Sequence, residues 1–114
     1  MSDRPKILVV CGRNKRRSRT AEHIFKNDSR FHIRSVGLSP GSERQIKDQD
    51  VDWSDLIMVM EDDQGDRINK TYDHLDLPFV EVLHIPDEYG YLDKSLMELL
   101  TDRINSILDI EFDI

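Results

Sequence analysis

Ile7-Leu8-Val9-Val10-Cys11-Gly12-Arg13-Asn14-Lys15-Arg16-Arg17-Ser18 decides how the rest of this chain folds. Four apolar residues, three of them β-branched, run into the chain's one cysteine. With no polar alternation, Lys6 to Val10 reads as a strand covered on both faces, as in a parallel sheet. The loop from Cys11 to Arg17 is basic and small, and a helical pattern follows from Ser18. A strand, a tight loop and a helix N-terminus in that order form an anion cradle. The loop amides turn inward and the helix dipole adds positive potential. Such a potential favours a thiolate over a thiol. Arg17, six residues beyond Cys11, carries a planar fork able to hold two oxygens of one phosphate. The stretch therefore puts a cysteine nucleophile beneath a bound phosphate.

Working outward, Ser18 is the expected N-cap of a helix to about Asp28, with Ala21, Ile24 and Phe25 on its inner face. Phe31 to Val36 alternates weakly and reads as a second strand. Gly37-Leu38-Ser39-Pro40-Gly41 is a loop. Ser42-Glu43-Arg44-Gln45 has capping-box spacing, which predicts a short helix toward Gln49. Leu56-Ile57-Met58-Val59-Met60 is the second strong apolar run and a central strand. Asp62 to about Tyr72 starts acidic, as a helix start favours, although Gly65 weakens it. Phe79 to Ile85 is a fourth strand, and Pro86-Asp87-Glu88-Tyr89-Gly90-Tyr91 a loop. Asp93 or Ser95 caps a last helix whose Leu96, Leu99, Leu100, Ile104, Ile107 and Leu108 repeat at helical spacing. The tail from Glu111 is expected to fray.

Strands alternating with helices predict an α/β fold: a small doubly wound, four-stranded parallel sheet with helices on both faces. Ligands of such sheets bind beyond the carboxyl ends of the strands. Cys11 ends strand one and the Asp87 loop follows strand four, so chain direction alone can bring both to one rim.

The totals bound the function. A length of 114 residues suits one domain over 1–114. No apolar run approaches the roughly 20 residues of a membrane helix, so no membrane partner is expected. Met1-Ser2-Asp3-Arg4-Pro5 is too short and polar for a signal peptide, and a lone cysteine fits a reducing compartment, which makes the cytoplasm the expected location. One cysteine also excludes an internal disulfide and a cysteine-rich zinc site. His23, His32, His74 and His84 lack metal-ligand spacing, and no cofactor is called for. The net charge of −7 is uneven. Residues 1–34 hold ten Lys/Arg against three Asp/Glu, while residues 35–114 hold six against twenty. The cysteine end should attract anions, and the acidic remainder argues against a broad nucleic-acid surface.

Cys11-x5-Arg17-Ser18 after an apolar strand resembles the phosphate-binding loop of the low molecular weight protein tyrosine phosphatases, whose signature is Cys-x-Gly-Asn-x-Cys-Arg-Ser. Cys11, Asn14, Arg17 and Ser18 match it position by position. Softer similarity follows at Ala21-Glu22, at Ser35-Val36-Gly37-Leu38 and at Ser54-Asp55-Leu56-Ile57-Met58-Val59-Met60. The resemblance covers most of the chain. It implies a hydrolase, a protein phosphatase acting on phosphotyrosine. The departures are specific. The family's loop glycine falls at Arg13, with Gly12 beside it, and its second cysteine falls at Arg16. Its general acid comes from a late Asp-Pro pair, whereas here the order is Pro86-Asp87.

The chemistry implied is a two-step displacement through a phosphocysteine intermediate on Cys11. A buried structural thiol is the plain alternative for that residue. Arg17 would hold the phosphoryl oxygens, or else be one surface charge among Arg13, Lys15, Arg16 and Arg19, which act as steering charges. Ser18 either hydrogen-bonds the thiolate or only caps the helix. Asn14 suits a left-handed backbone in the tight loop. The phosphate site is thus Gly12, Arg13, Asn14, Lys15, Arg16, Arg17 and Ser18. Asp87 is the candidate general acid, with Glu88 its rival and a turn role the alternative. Tyr89 and Tyr91 either wall an aromatic substrate or cover the core, and Trp53 reads as packing. The expected partner is a phosphorylated protein or a small phosphomonoester. Arsenate reductases of this type need more cysteines, and phosphocarrier domains need no arginine at the sixth position. A non-catalytic module binding phosphate, phosphopeptide or RNA phosphates stays open as the alternative, although no aromatics interleave the basic cluster for base stacking.

Overall fold

The first strand fixes the layout. In the computed structural model, which describes residues 4–13 and 15–114, β1 spans Lys6–Cys11 and its residues from Ile7 on are all buried. Ile7, Val9 and Cys11 face one apolar cluster and Leu8 and Val10 the other, as the period of two along a strand requires. A strand flanked on both faces by apolar layers has to lie inside the sheet. It does: the strand order is β2-β1-β3-β4, with every pairing parallel.

The elements follow in the order β1, α1 (Arg17–Phe25), β2 (His32–Gly37), α2 (Asp48–Trp53), β3 (Leu56–Val59), α3 (Asp62–Thr71), β4 (Phe79–Val82) and α4 (Lys94–Phe112). Register aligns Val10 with Val36 on one side and with Val59 on the other, and Cys11 with Gly37. Ala21 and Phe25 of α1 and Leu96, Leu100, Ile104 and Leu108 of α4 cover one face. Val51 of α2 and Ile68 of α3 help cover the other. The expected doubly wound sheet with helices on both faces is therefore what forms. The chain moves from β1 outward to β2, then returns past β1 to β3, so the order reverses between β1 and β3. A crevice opens there, beyond the carboxyl ends of those two strands.

Local differences have local causes. No helix starts at Ser42. Gly37 N–H donates to the Arg44 carbonyl at 2.8 Å and Ile46 N–H to the Gly37 carbonyl at 2.9 Å, so this backbone is committed beside β2. The helix begins instead at Asp48, where the Asp50 carboxylate accepts from Lys47 N–H at 2.9 Å and faces Arg34 at 3.0 Å. The first helix stops at Phe25 rather than Asp28, whose carboxylate accepts from the Arg30 guanidinium at 2.9 Å. Arg30 holds that carboxyl below its usual range. The fourth strand ends at Val82, but Leu83 and Ile85 still donate to the Val59 and Met60 carbonyls, which carries the chain on beside β3. The tail does not fray at Glu111. The helix runs to Phe112, which packs against the core, and stops at Asp113 with φ 57°. Asp93 caps α4, accepting from Ser95 and Leu96 N–H. Trp53 packs against the core and carries the Arg34 guanidinium 4.1 Å from its ring centroid. No helix among the described residues is long and apolar enough to cross a membrane.

Candidate active site

A cavity of about 330 Å³ lies at that rim, lined by Cys11, Gly12, Arg13, Lys15, Arg16 and Arg17 of the loop, with Ser39 and Asp87 from outside it. Every one of these segments directly follows a strand or its extension. A parallel sheet sends all such segments to the same edge, which is why residues from three regions converge.

Cys11 is the last residue of β1 and is 3% exposed. Its Sγ lies 2.9 Å from Ser18 Oγ, and Ser18 is itself fully buried. Cys11 thus belongs to the core cluster and also lines the cavity. Ser18 is not the N-cap. That place belongs to Arg16, with no side-chain cap hydrogen bond, and Ser18 sits in the first turn of α1 with its hydroxyl turned to the sulfur. No acidic side chain occupies that first turn, so the helix dipole is left for a ligand to complement.

Arg17 is not a solvated surface charge. It is 5% exposed, and its Nη1 donates to Glu61 Oε1 at 2.7 Å and to the Ile85 carbonyl at 2.6 Å. Its Nε lies 3.9 Å from Asp87 Oδ1. A guanidinium has five donors, so these contacts fix its plane while leaving others for a guest. Asp87 is exposed at the cavity's edge, within reach of solvent. Its segment is held from below. Arg103 of α4 donates to the Leu83 and His84 carbonyls, and His84 turns the chain with φ 56° just before Ile85.

Ser39 and Glu61 are site residues that the sequence reading did not single out. Ser39 N–H donates to the Gly12 carbonyl at 2.8 Å, and Leu38 N–H to the Cys11 carbonyl at 3.0 Å, latching the loop after β2 onto the cysteine loop. Glu61 follows β3 and is the N-cap of α3. The signal available for both was chain direction: each follows a strand, as Cys11 does. Glu88 does not line the cavity. Tyr89 packs against the core, and Tyr91 lies under the Arg19 guanidinium, 5.5 Å from the ring centroid. Arg19 is also paired with Glu43 at 2.5 Å. Asn14 lies outside the described residues. The four histidines are spread over the fold, and among the described residues no group of three His, Cys, Asp or Glu is placed to hold a metal ion.

No protein-family model matches the chain, and no curated protein sequence matches it. Solved structures do. The low molecular weight protein tyrosine phosphatase SP-PTP from Streptococcus pyogenes superposes with a TM-score of 0.74 at 18% identity, covering 95% of this chain and 93% of that one. The tyrosine phosphatase Wzb from Escherichia coli K30, in complex with phosphate, gives 0.73 at 19%, covering 94% and 98%. The YwlE arginine phosphatase from Geobacillus stearothermophilus gives 0.71 at 21%, covering 94% of each. The chain has the fold of the low molecular weight protein tyrosine phosphatases over nearly its whole length, as the resemblance implied.

Proposed function

We propose that this chain is a single-domain, cysteine-dependent phosphatase that hydrolyses phosphomonoesters through a phosphocysteine on Cys11. One observation carries the reading. Cys11 and Arg17 line one cavity, with the Cys11 sulfur beside the Ser18 hydroxyl and the Arg17 guanidinium held by Glu61. A buried structural thiol would need neither partner. The fold shared with proteins described as tyrosine and arginine phosphatases supports the same reading.

In the first step the Cys11 thiolate attacks phosphorus and the bond to the leaving oxygen breaks. Arg17 holds equatorial oxygens of the phosphoryl group, where charge gathers in the transition state. Loop amides from Gly12 to Ser18 take the remaining oxygens. The Asp87 carboxyl gives its proton to the departing oxygen. In the second step water attacks phosphorus, Asp87 accepts its proton, and the sulfur leaves as thiolate. The Ser18 hydroxyl is placed to donate a hydrogen bond to that sulfur. The substrate that the resemblance implies is protein phosphotyrosine, and a small phosphomonoester serves the same chemistry. The one cysteine suits a reducing compartment, so the proposed location is the cytoplasm.

The test uses para-nitrophenyl phosphate and an alkyl phosphate with wild type, Cys11→Ser and Asp87→Asn. Cys11→Ser should abolish turnover. Asp87→Asn should impair the alkyl ester more than the nitrophenyl ester, whose leaving group needs little protonation. Phosphate binding without turnover by wild type on any phosphomonoester would leave a phosphate-binding module instead of an enzyme.

A further inference from the structure

Within the phosphatase reading, and resting on it, we infer that the preferred substrate is a compact polyanion: a small phosphomonoester with a second phosphate or carboxylate close to the scissile group. The cavity beside Cys11 holds more positive charge than one phosphate requires. Arg17 is the cation bound into the fold, through Glu61 and Ile85. Arg13, Lys15 and Arg16 also line the cavity, are exposed, and have no ion-pair partner among the described residues. Arg19, just beyond them, is neutralised by Glu43. Three unpaired cations on one short loop repel one another, and a second anionic group on the guest would relieve that repulsion.

The lining does not suit a phenyl ring. No aromatic side chain lines the cavity among the described residues. Gly12 offers no wall, since a Cβ there would meet nothing within 4 Å. Tyr89 is partly buried against the core, and Tyr91, though exposed, is engaged by Arg19; neither lines the cavity. An aryl phosphate would thus place its ring against charged side chains, where its apolar surface gains little.

Size and surrounding charge select a small guest over an extended acidic peptide. The positive loop is bordered by carboxylates, with Glu43 paired to Arg19, Glu61 to Arg17, and Asp87 in the cavity lining 3.9 Å from Arg17. A peptide with acidic residues spread along it would leave the basic loop and meet these groups. A molecule with its charges within a few bonds of each other stays inside the ring.

The experiment measures matched pairs as competitive inhibitors of para-nitrophenyl phosphate hydrolysis, and as ligands of Cys11→Ser by calorimetry. The pairs are ethyl phosphate with phosphoglycolate, and propyl phosphate with propane-1,3-diol bisphosphate. The second anion should tighten binding by about tenfold or more, as one or two charge-assisted contacts would. The ratio within each pair should fall toward one in the Arg13→Gln/Lys15→Gln/Arg16→Gln variant and, by a smaller step, in Arg16→Gln alone. Equal affinity within the pairs for wild type overturns the inference, as does a ratio that the variants leave unchanged. A phosphotyrosine peptide flanked by acidic residues that binds more tightly than the bisphosphate overturns it too. Failure of the underlying reading is separate: it is the absence of turnover on every phosphomonoester tried, the bisphosphate included, while calorimetry on Cys11→Ser still reads the ratio within each pair.

Discussion

Arg17 and Glu61, separated by 44 positions in the chain, meet through a 2.7 Å hydrogen bond between Nη1 and Oε1 at the sheet's point of strand reversal. The contact joins the start of α1 to the start of α3 and sets the plane of the guanidinium beside Cys11. Two roles for Glu61 predict opposite results. If Glu61 orients Arg17, Glu61→Ala weakens binding of inorganic phosphate and lowers kcat/KM. The loss of one charge-assisted hydrogen bond, roughly 1.5–3 kcal/mol, corresponds to about 10- to 150-fold. If Glu61 only neutralises Arg17, the same change strengthens phosphate binding. We expect the loss, with Glu61→Gln in between because its amide oxygen still accepts, and inhibition constants for inorganic phosphate check it.

The 2.9 Å approach of Ser18 Oγ to Cys11 Sγ predicts a selective effect on the second step. Under the proposed mechanism, a hydroxyl that supports the sulfur as it leaves would matter most when phosphocysteine breaks down. Ser18→Ala should therefore lower kcat by about tenfold, the worth of one hydrogen bond to a charged group. Rapid-mixing kinetics with para-nitrophenyl phosphate should show a burst of nitrophenolate followed by slow turnover. Slow release with no burst would assign the hydroxyl to the first step instead.

The order of elements and the sheet's topology were legible in the chain because they follow from burial. Ile7 to Val10 has no polar face, so it had to be covered on both sides, and the same holds for Leu56 to Val59. Helix starts were less legible. Ser18 has the chemistry of a cap, but a nearby sulfur gave its hydroxyl another partner. Ser42 to Gln45 has capping-box spacing, but Gly37 claimed the backbone first. Cys11, Arg17 and Asp87 could be tied to one rim because each follows a strand. Glu61 and Ser39 obey the same rule, but neither residue type announces itself: a glutamate before Asp62-Asp63 reads as helix-start charge, and a serine before proline reads as a turn. Their roles come from long-range contacts that no local pattern encodes.

Glu81 on the outer strand β4 has its carboxyl pushed above the ordinary value, first by burial and then by hydrogen bonding and repulsion from Glu111 near the end of α4. A raised carboxyl binds its proton more tightly in the folded state than in the unfolded chain. Its contribution to stability is therefore fully present below the unfolded value and is lost as pH rises through the folded one. At neutral pH the two carboxylates oppose each other. Glu81→Gln keeps a donor for Glu111 and removes one charge, so it should raise the thermal midpoint at pH 7. The gain should vanish near pH 4, where wild type regains its proton. Equal gains at both pH values would trace the effect to packing rather than to charge.

Gly65 sits inside α3, where glycine costs about 0.5–1 kcal/mol relative to alanine. Such a glycine is retained for a reason only if the backbone or the neighbours demand it. The backbone does not, since no glycine among the described residues has positive φ. Nor do the neighbours demand it. A Cβ would lie 3.6 Å from Val59, 3.7 Å from Val80 and 3.8 Å from Val82, which are ordinary contacts. Gly65→Ala should therefore raise stability by about 0.5–1 kcal/mol, read as a higher urea midpoint at unchanged slope. Gly65→Leu should do the reverse. The same three valines leave no room for a branched side chain, and overpacking of this kind typically costs about 1–3 kcal/mol. A lower midpoint for the alanine variant would mean that α3 lies closer to the sheet than these distances allow.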